Sequence, residues 1–284
     1  MKILVTGGAG YIASHTVVEL IAAGHTPLIV DNFSNSEKWI IDRIEKIAGQ
    51  RPVVFEGNCA DPKFLDRIFA QENDIDGIIH FAGLKAVGES MEKPLEYYRN
   101  NIDSSLTLLE AMKKFGVKYF VFSSSATVYG DPDQNPIPET APRKPATNPY
   151  GNTKAIIEDI IRDTVASDQN LRAISLRYFN PIGAHPSGLI GELPKGVPNN
   201  LVPYLVQAAS GQREFLTVFG DDYETLDGTG VRDFIHVVDL AKAHISALEH
   251  LQKQKTPFYD VFNVGTGSGA SVKELIAKFE EING

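Results

Sequence analysis

Short apolar runs and longer helical stretches alternate along the chain. The apolar runs read KILVT, PLIVD, PVVFEG, GIIHFAG, KYFVFSSS and RAISLRYFN. Short runs rich in apolar and β-branched residues are typical of strands that are buried on both faces. The alternation therefore predicts an α/β fold, a doubly wound parallel sheet with helices on both of its faces.

The pattern changes after Phe179. The stretch NPIGAHPSGLIGELPKGVPNN is rich in glycine, proline and asparagine, as substrate-binding loops commonly are. Farther on, HVVDLAKAHISALEHL reads as a helix that leads into one more strand, YDVFNVG. We therefore predict two domains interleaved in sequence. Residues 1–179 and 236–264 form the larger one, and residues 180–235 and 265–284 form a second, smaller, substrate-binding domain.

A glycine-rich turn follows the first predicted strand. Gly8, Gly10 and Ala13 fit the dinucleotide pattern G-x-G-x-x-G/A, in which the backbone approaches a pyrophosphate at the start of a helix. Asp31 closes the second strand, close to the spacing of roughly 20 residues expected for an acid that binds the adenosine ribose. No arginine follows Asp31 directly. The larger domain is thus predicted to be of the Rossmann type and to bind NAD rather than NADP.

Tyr150 and Lys154 stand four residues apart, just after Pro149, which suits a helix start. Both side chains then lie on one helical face. A phenol, with a pKa of roughly 10, is a poor base, but a neighbouring ammonium favours the phenolate. The pair is a candidate acid–base device, although the same spacing occurs on ordinary surface helices.

Three serines follow the strand KYFVF. Ligands of open parallel sheets bind beyond the carboxyl ends of the strands, so we expect Ser123, Ser124 and Ser125 to point toward the cofactor crevice. Serines at this place can also merely cap the end of a strand.

The segments TGGAGYI, DNFSNS, HFAGLKAVGES, FSSSATVYGD, PYGNTK, LRYFNPIGAHPSG, GVPNNL and GTGVRDFIHVVDLA follow one another along the chain. In content and order they resemble the motifs of the UDP-glucose 4-epimerases, a family of extended short-chain dehydrogenases/reductases. The resemblance covers essentially the whole chain. It implies NAD-dependent epimerisation of a UDP-hexose at C4 through a 4-keto intermediate, and a homodimer.

The resemblance also implies a role for each matching residue. Tyr150 is the catalytic base, Ser125 shares the sugar hydroxyl with it, and Lys154 holds the nicotinamide ribose while lowering the pKa of Tyr150. The residues implied to bind NAD are Gly7, Gly8, Gly10, Tyr11, Ile12, Asp31, Asn32, Phe33, Ser34, Asn35, Ser36, Asn58, Cys59, Phe81, Ala82, Gly83, Leu84, Lys85, Asn100, Ser125, Tyr150, Lys154 and Phe179. Those implied to bind the UDP-sugar are Lys85, Ser125, Tyr150, Asn180, Asn200, Phe219 and Arg232. For Arg232 an ion pair with Asp233 is the alternative.

Three departures from the family pattern stand out. Ala13 replaces a usual glycine, and Asn58 replaces a usual aspartate near the adenine amino group. The sequence also ends at KELIAKFEEING, whereas the family continues through a carboxy-terminal segment that binds diphosphate and limits sugar size. We expect weaker substrate binding if this chain is complete, and an intact cofactor site in either case.

Composition limits the possible partners. A net charge of −9 argues against nucleic acid and anionic membranes as partners. The longest apolar runs are of strand length, so no membrane span is expected. One cysteine, Cys59, excludes an internal disulfide and fits a cytoplasmic protein. The seven histidines show no H-E-x-x-H spacing, and we predict no metal site.

Two other functions stay open at this stage. A nucleotide-sugar dehydratase would use the same cofactor and tyrosine, but that family carries an aspartate–glutamate pair where this chain has Ala126 and Thr127. An NAD-binding sensor would have no need of Ser125, Tyr150 and Lys154 together, but the early end of the sequence keeps a sensor or an inactive fragment open. The apolar residues of the helix that begins at Tyr150 could contact a partner subunit or be buried inside one chain, and the pattern fits both arrangements equally well.

Overall fold

The computed structural model describes residues 1–196, 198 and 200–283. The strands are β1 (Lys2–Thr6), β2 (Thr26–Asp31), β3 (Val53–Glu56), β4 (Gly77–His80), β5 (Tyr119–Ser123), β6 (Arg172–Tyr178), β7 (Asn180–Ile182), β8 (Val231–His236), β9 (Phe258–Val264) and β10 (Gly269–Ser271). The helices are α1 (Tyr11–Ala22), α2 (Trp39–Ala48), α3 (Pro62–Gln71), α4 (Val87–Glu92), α5 (Pro94–Phe115), α6 (Pro149–Ser167), α7 (Leu201–Ala209), α8 (Val237–Lys253) and α9 (Val272–Asn283).

Seven of these strands form one parallel sheet in the order β3-β2-β1-β4-β5-β6-β9. The prediction of a doubly wound parallel sheet is therefore confirmed. The order reverses between β1 and β4, and in such sheets the crevice at the reversal binds the ligand. The loops after β1 and β4 flank this crevice.

Helices cover both faces of the large sheet, and β1 shows why. Ile3 and Val5 point to one face, where they join a buried cluster with Val17 of α1 and Leu248 of α8. Leu4 points to the other face and packs in a cluster with Leu108 of α5. Burial of each such side chain contributes about 1.5–3 kcal/mol. Packing on two sides holds the carboxyl ends of the strands in place, and the candidate site lies at that edge.

A second sheet has the order β10-β8-β7, with β8 parallel to β7 and antiparallel to β10. Its strands fall in the ranges predicted for the smaller domain, except that β8 extends to His236. The division into two domains stays a prediction. In the part of the chain that the structure covers, no helix combines the length and apolar character needed to cross a membrane.

Candidate active site

The glycine turn after β1 lies against the loop after β4. Gly7 has a φ of +68°, and a Cβ at this position would come within 3.0 Å of the Ala82 amide nitrogen. Gly10 is the N-cap of α1, where no side chain caps the helix and the first turn holds no acidic residue. The helix start thus presents its amides to an anion, as a bound pyrophosphate requires.

Asp31 joins the glycine turn to the loop after β2. Its carboxylate is buried and accepts hydrogen bonds from the amides of Ala9 (2.9 Å) and Phe33 (2.8 Å) and from the Ser36 hydroxyl (3.0 Å). Phe33 has a φ of 55°, a left-handed conformation that is uncommon outside glycine. An acid at the end of β2, beside a helix start without a side-chain cap, fits the adenosine half of NAD.

Other residues that the family resemblance assigns to NAD binding lie on the loops after β3 and β4. Asn58 is exposed and accepts a hydrogen bond from the Ala60 amide at 2.9 Å. The thiol of Cys59 is buried, and burial raises its pKa to about 12. After β4, the amide of Leu84 donates to Asn101 Oδ1 at 2.8 Å, and Asn100 Nδ2 donates to the same oxygen at 3.0 Å.

Asn101 was not among the sequence-based candidates. Its Nδ2 donates to the Leu84 carbonyl and to Thr153 Oγ1, both at 3.0 Å. The hydroxyl of Thr153 in turn donates to the Tyr150 carbonyl at 2.7 Å. The amide thus links the loop after β4 to α6. A polar residue on the buried face of α5 was the only signal in the sequence.

Helix α6 brings Tyr150 and Lys154 together as their spacing predicts. Asn148 caps the helix by accepting a hydrogen bond from the Gly151 amide at 2.8 Å, and Pro149 occupies the first turn. Both candidate side chains are buried, at 8% and 5% exposure. Lys154 Nζ lies 5.9 Å from the centre of the Tyr150 ring and donates to the Ser123 carbonyl at 2.7 Å.

Burial shifts both groups toward their neutral forms. It raises the pKa of Tyr150 above its ordinary value, and the hydrogen bond to Ser125 acts in the opposite direction. It lowers the pKa of Lys154 to about 8, against the attraction of the Glu158 charge. A lysine with such a pKa is poised to exchange its charge near physiological pH.

The three serines after β5 have separate roles. Ser125 lies beside Tyr150, and its Oγ accepts from the Thr127 hydroxyl at 2.9 Å. Ser123 shares a hydrogen bond of 2.8 Å with the Tyr178 hydroxyl. The expectation that Ser124 points toward the cofactor is wrong: its hydroxyl donates to Glu158 Oε1 at 2.6 Å. Ser124 is fully buried, and the Glu158 carboxylate, two turns beyond Tyr150 on α6, supplies the partner that a buried hydroxyl needs.

Two of the residues that the family resemblance assigns to the substrate, Asn200 and Lys85, contact the same carboxylate, that of Glu192. Asn200 Nδ2 donates to Glu192 Oε1 at 2.9 Å, and Lys85 Nζ lies 3.5 Å from the same oxygen. Glu192, which no motif singled out, is the residue through which the loop after β4 meets the segment after β7. Asn180 is half-buried at the start of β7.

Arg232 and Phe219 lie on the side of the smaller sheet. Arg232 Nη1 donates to the Val231 carbonyl at 2.7 Å, and the alternative of an ion pair with Asp233 is not seen. The Asp233 carboxylate instead accepts from the amides of Thr266 and Gly267, both at 2.9 Å. Phe219 is 84% exposed, so its ring is available to a ligand.

Comparison with known proteins shows which family the chain belongs to. The sequence model of the NAD dependent epimerase/dehydratase family matches residues 3–265. The UDP-glucose 4-epimerase of Dictyostelium discoideum is 58% identical over 99% of this chain and 80% of its own length. The Bacillus subtilis (strain 168) protein of that name is 54% identical, over 100% of this chain and 83% of its own.

A solved structure is similar as well. The Bifidobacterium longum UDP-glucose 4-epimerase, crystallised in complex with NAD+ and UDP, superposes with a TM-score of 0.95 at 51% identity. The match covers 100% of this chain and 83% of that one. The chain belongs to the NAD dependent epimerase/dehydratase family, and within it to the group of the UDP-glucose 4-epimerases.

Proposed function

We propose that this protein interconverts UDP-glucose and UDP-galactose by epimerisation at C4, with NAD as its bound cofactor. The observation that carries the proposal is the buried Tyr150–Lys154 pair with Ser125 beside it. These side chains lie at the carboxyl edge of the sheet, where a dinucleotide binds in this fold. Relatives that match essentially the whole of this chain bear the name UDP-glucose 4-epimerase, which supports the same reaction.

The chemistry divides between cofactor and chain. NAD, when bound, would supply a hydride acceptor for C4 of the sugar and, in its reduced form, a hydride donor for the 4-keto sugar. The amides of the glycine turn would hold its pyrophosphate, and Asp31 would hold its adenosine ribose.

Proton transfer falls to α6 and the end of β5. Tyr150 takes the proton of the sugar 4-hydroxyl and later returns it, while Ser125 hydrogen-bonds to the same oxygen. Burial raises the pKa of Tyr150, so the phenolate needs a positive charge close by. Lys154 supplies that charge while its amine is protonated.

Epimerisation requires the hexose to turn over while the nucleotide stays bound. Uniformly tight binding of the sugar would oppose that turn. Lys85, Asn180, Asn200 and Arg232 are proposed to bind the diphosphate, with Phe219 next to the uracil. A guanidinium such as that of Arg232 suits a diphosphate because its donors form a rigid fork.

The alternative functions explain the site less well. A dehydratase eliminates water and needs a carboxylic acid just after the catalytic serine, but Ala126 and Thr127 occupy that turn and the Thr127 hydroxyl donates to Ser125. A sensor would have no use for a buried phenol and ammonium beside a serine.

We also propose a cytoplasmic homodimer formed through α5 and α6. These helices pack on each other, Leu106 of α5 is 39% exposed, and Ile156 and Ile160 of α6 are only half-buried. Sedimentation analysis of wild type and Leu106→Glu tests this, because a charge at the interface should leave a monomer. The net charge of −9 argues against nucleic-acid and anionic-membrane partners.

The test of the reaction incubates the purified protein with UDP-galactose, without added NAD, and follows UDP-glucose formation. We expect conversion by wild type and its loss in Tyr150→Phe. Tyr98→Phe is the matched control, since it also deletes a phenol hydroxyl that contacts α6, through Asn152 at 2.7 Å, but away from Ser125. A wild-type protein that carries NAD yet leaves UDP-galactose unchanged would refute the proposal.

A further inference from the structure

A buried ion pair joins α6 to β6. Arg177 Nε and Nη2 donate to the two carboxylate oxygens of Glu158 at 2.9 and 2.6 Å. The two side chains are only 6% and 2% exposed. Glu158 lies on α6 one turn beyond Lys154, and two turns beyond Tyr150. The ion pair therefore lies on the helix that carries both proton-transfer groups.

The same carboxylate contacts two further segments. It accepts the hydroxyl of Ser124, the residue directly before Ser125, at 2.6 Å. Arg143, from the segment before α6, lies 3.5 Å away and also donates to the Ala155 carbonyl at 2.8 Å. Glu158 thus ties the end of β5, strand β6 and the segment before α6 to one point on α6.

Arg177 extends the network to the turn that follows Ser125. Its guanidinium lies 4.8 Å from the centre of the Tyr129 ring, in a cation–π contact. The Tyr129 hydroxyl donates to Asn263 Oδ1 at 2.7 Å, and Asn263 Nδ2 donates to the Ile137 carbonyl at 2.7 Å. Strand end, turn and helix are therefore held together by hydrogen-bonded polar groups rather than by apolar packing alone.

Buried ion pairs seldom stabilise a fold more than apolar side chains of the same size would, so this one calls for another role. Resting on the proposed function, we propose that Glu158 is a positioning residue for the proton transfer. It fixes the Ser124–Ser125 strand end against the helix of Tyr150 and Lys154, and it places a buried negative charge one turn from the Lys154 ammonium.

The surroundings of Lys154 support the electrostatic part. Burial lowers the pKa of Lys154 to about 8, and the charge of Glu158 opposes this shift. The other groups that face Lys154 are Tyr150 from α6, His80 from β4, and Phe122 and Ser123 from β5. The phenols of Tyr178 from β6 and Tyr97 from α5 act on Tyr150. Burial lowers the pKa of His80 to about 3, so that imidazole is neutral.

The sign of the effect follows from these charges. A negative charge favours the ammonium form, so its removal lowers the pKa of Lys154. Loss of Glu158 would also leave Arg177 and Arg143 without their shared acid, and their positive charges act on the ammonium in the same direction. The pH range in which Lys154 is charged therefore contracts from its alkaline side.

The decisive experiment compares kcat against pH for the purified NAD-loaded wild type and Glu158→Gln, with UDP-galactose as substrate. We expect the fall of kcat at high pH, the alkaline limb of the profile, to move to lower pH in Glu158→Gln. Near pH 8.5, kcat should be about tenfold below wild type, while KM changes by less than about twofold. Glu158→Asp keeps the charge and should keep the position of the limb, while kcat falls.

Asp159→Asn is the matched control. Asp159 is the next acid on α6 and pairs with Arg143 and Arg162, but its side chain is 40% exposed and contacts neither Ser124 nor Arg177. We expect a wild-type pH profile. The proposal falls if Glu158→Gln folds and its alkaline limb coincides with that of wild type, or if Asp159→Asn moves the limb equally.

Two further measurements cover failure of the single variant and failure of the reaction itself. If Glu158→Gln does not fold, Glu158→Gln combined with Arg177→Met removes both charges together and must still move the limb. If wild type has no epimerase activity, the proposed function fails. The 15N NMR titration of Lys154, assigned with Lys154→Arg, then decides the inference, which requires a lower midpoint in Glu158→Gln.

Discussion

At the scale of single residues, the surroundings of Lys154 set its chemistry. The ammonium is buried, donates to the Ser123 carbonyl at 2.7 Å and lies 4.7 Å from the centre of the Phe122 ring. A helical spacing of four residues could be read from the sequence, and the structure confirms it. The lowered pKa could not, because it depends on burial by side chains of other elements, such as Phe122 of β5, that pack around the nitrogen.

The first prediction concerns pH. Lys154 has a pKa of about 8, so its charge is present below that value and is lost as the pH rises through it. We expect kcat for UDP-galactose to fall along the same limb, because an uncharged amine no longer stabilises the Tyr150 phenolate. Lys154→Arg carries a charge that does not titrate in this range, and whatever activity it retains should lack the limb. An identical limb in both proteins would assign it to another group.

The second prediction concerns Gly7. An alanine there must adopt a left-handed conformation and place its Cβ 3.0 Å from the Ala82 amide nitrogen. We expect Gly7→Ala to lose about 1–2 kcal/mol of stability from the strain and also to lose bound NAD, because the turn moves away from the crevice. Thermal unfolding, and absorbance of the NAD released on denaturation, measure the two effects.

Gly24 supplies the control for that experiment. It has a φ of +78° just after α1, but a Cβ there would meet nothing within 4 Å. Gly24→Ala should therefore lose similar stability and keep its NAD. Equal NAD loss in both variants would show that strain alone, and not the contact with Ala82, is responsible.

At the scale of elements, the start of α6 carries the proposed catalytic base. Asn148 caps the helix, and Tyr150 follows within the first turn. We predict that Asn148→Ala costs about 1 kcal/mol of stability and also lowers kcat, because fraying of the first turn displaces the phenol. Chemical denaturation and the epimerase assay measure the two quantities.

Helix α3 offers a matched cap. Asp61 accepts a hydrogen bond from the Lys63 amide at 2.9 Å, far in sequence from Tyr150. Asp61→Ala should lose a similar amount of stability with an unchanged kcat. If both variants lose activity in proportion to their stability, the cap of α6 has no specific role in catalysis.

The elements themselves could be predicted because their signals are local. Runs such as KILVT and KYFVF alternate with helical stretches, and Pro149 marks the beginning of α6. The directions of the side chains at a strand end were harder to predict. Ser124 turns toward Glu158, a residue far along the chain, and no motif indicated this partner.

At the scale of the whole molecule, distant segments meet over the cofactor loops. Tyr11 donates to the Gly183 carbonyl at 2.7 Å. Lys195 Nζ lies 3.3 Å from both the Phe33 carbonyl and the Glu37 carboxylate. The sequence placed these residues in separate predicted domains, but it could not show which side chains face each other, because such contacts depend on how the folded segments pack.

The fourth prediction uses the Lys195–Glu37 pair. An exposed ion pair adds less than about 1 kcal/mol, so we expect Lys195→Glu to speed NAD loss only by about threefold. Glu37→Lys should do the same. The double variant Lys195→Glu with Glu37→Lys restores opposite charges and should regain most of the wild-type retention. No recovery in the double variant would mean that the two side chains do not act as a pair.

Strand β9 pairs with β6 along its whole length, yet it is synthesised only after β7, α7, β8 and α8. Until then β6 presents an unpaired edge, of the kind that recruits other chains during translation. Asn263, which holds Tyr129, also arrives with β9. The nascent protein can thus complete most of its large sheet early, whereas the turn Ala126–Tyr129, which follows Ser125, waits for one of the last strands to emerge.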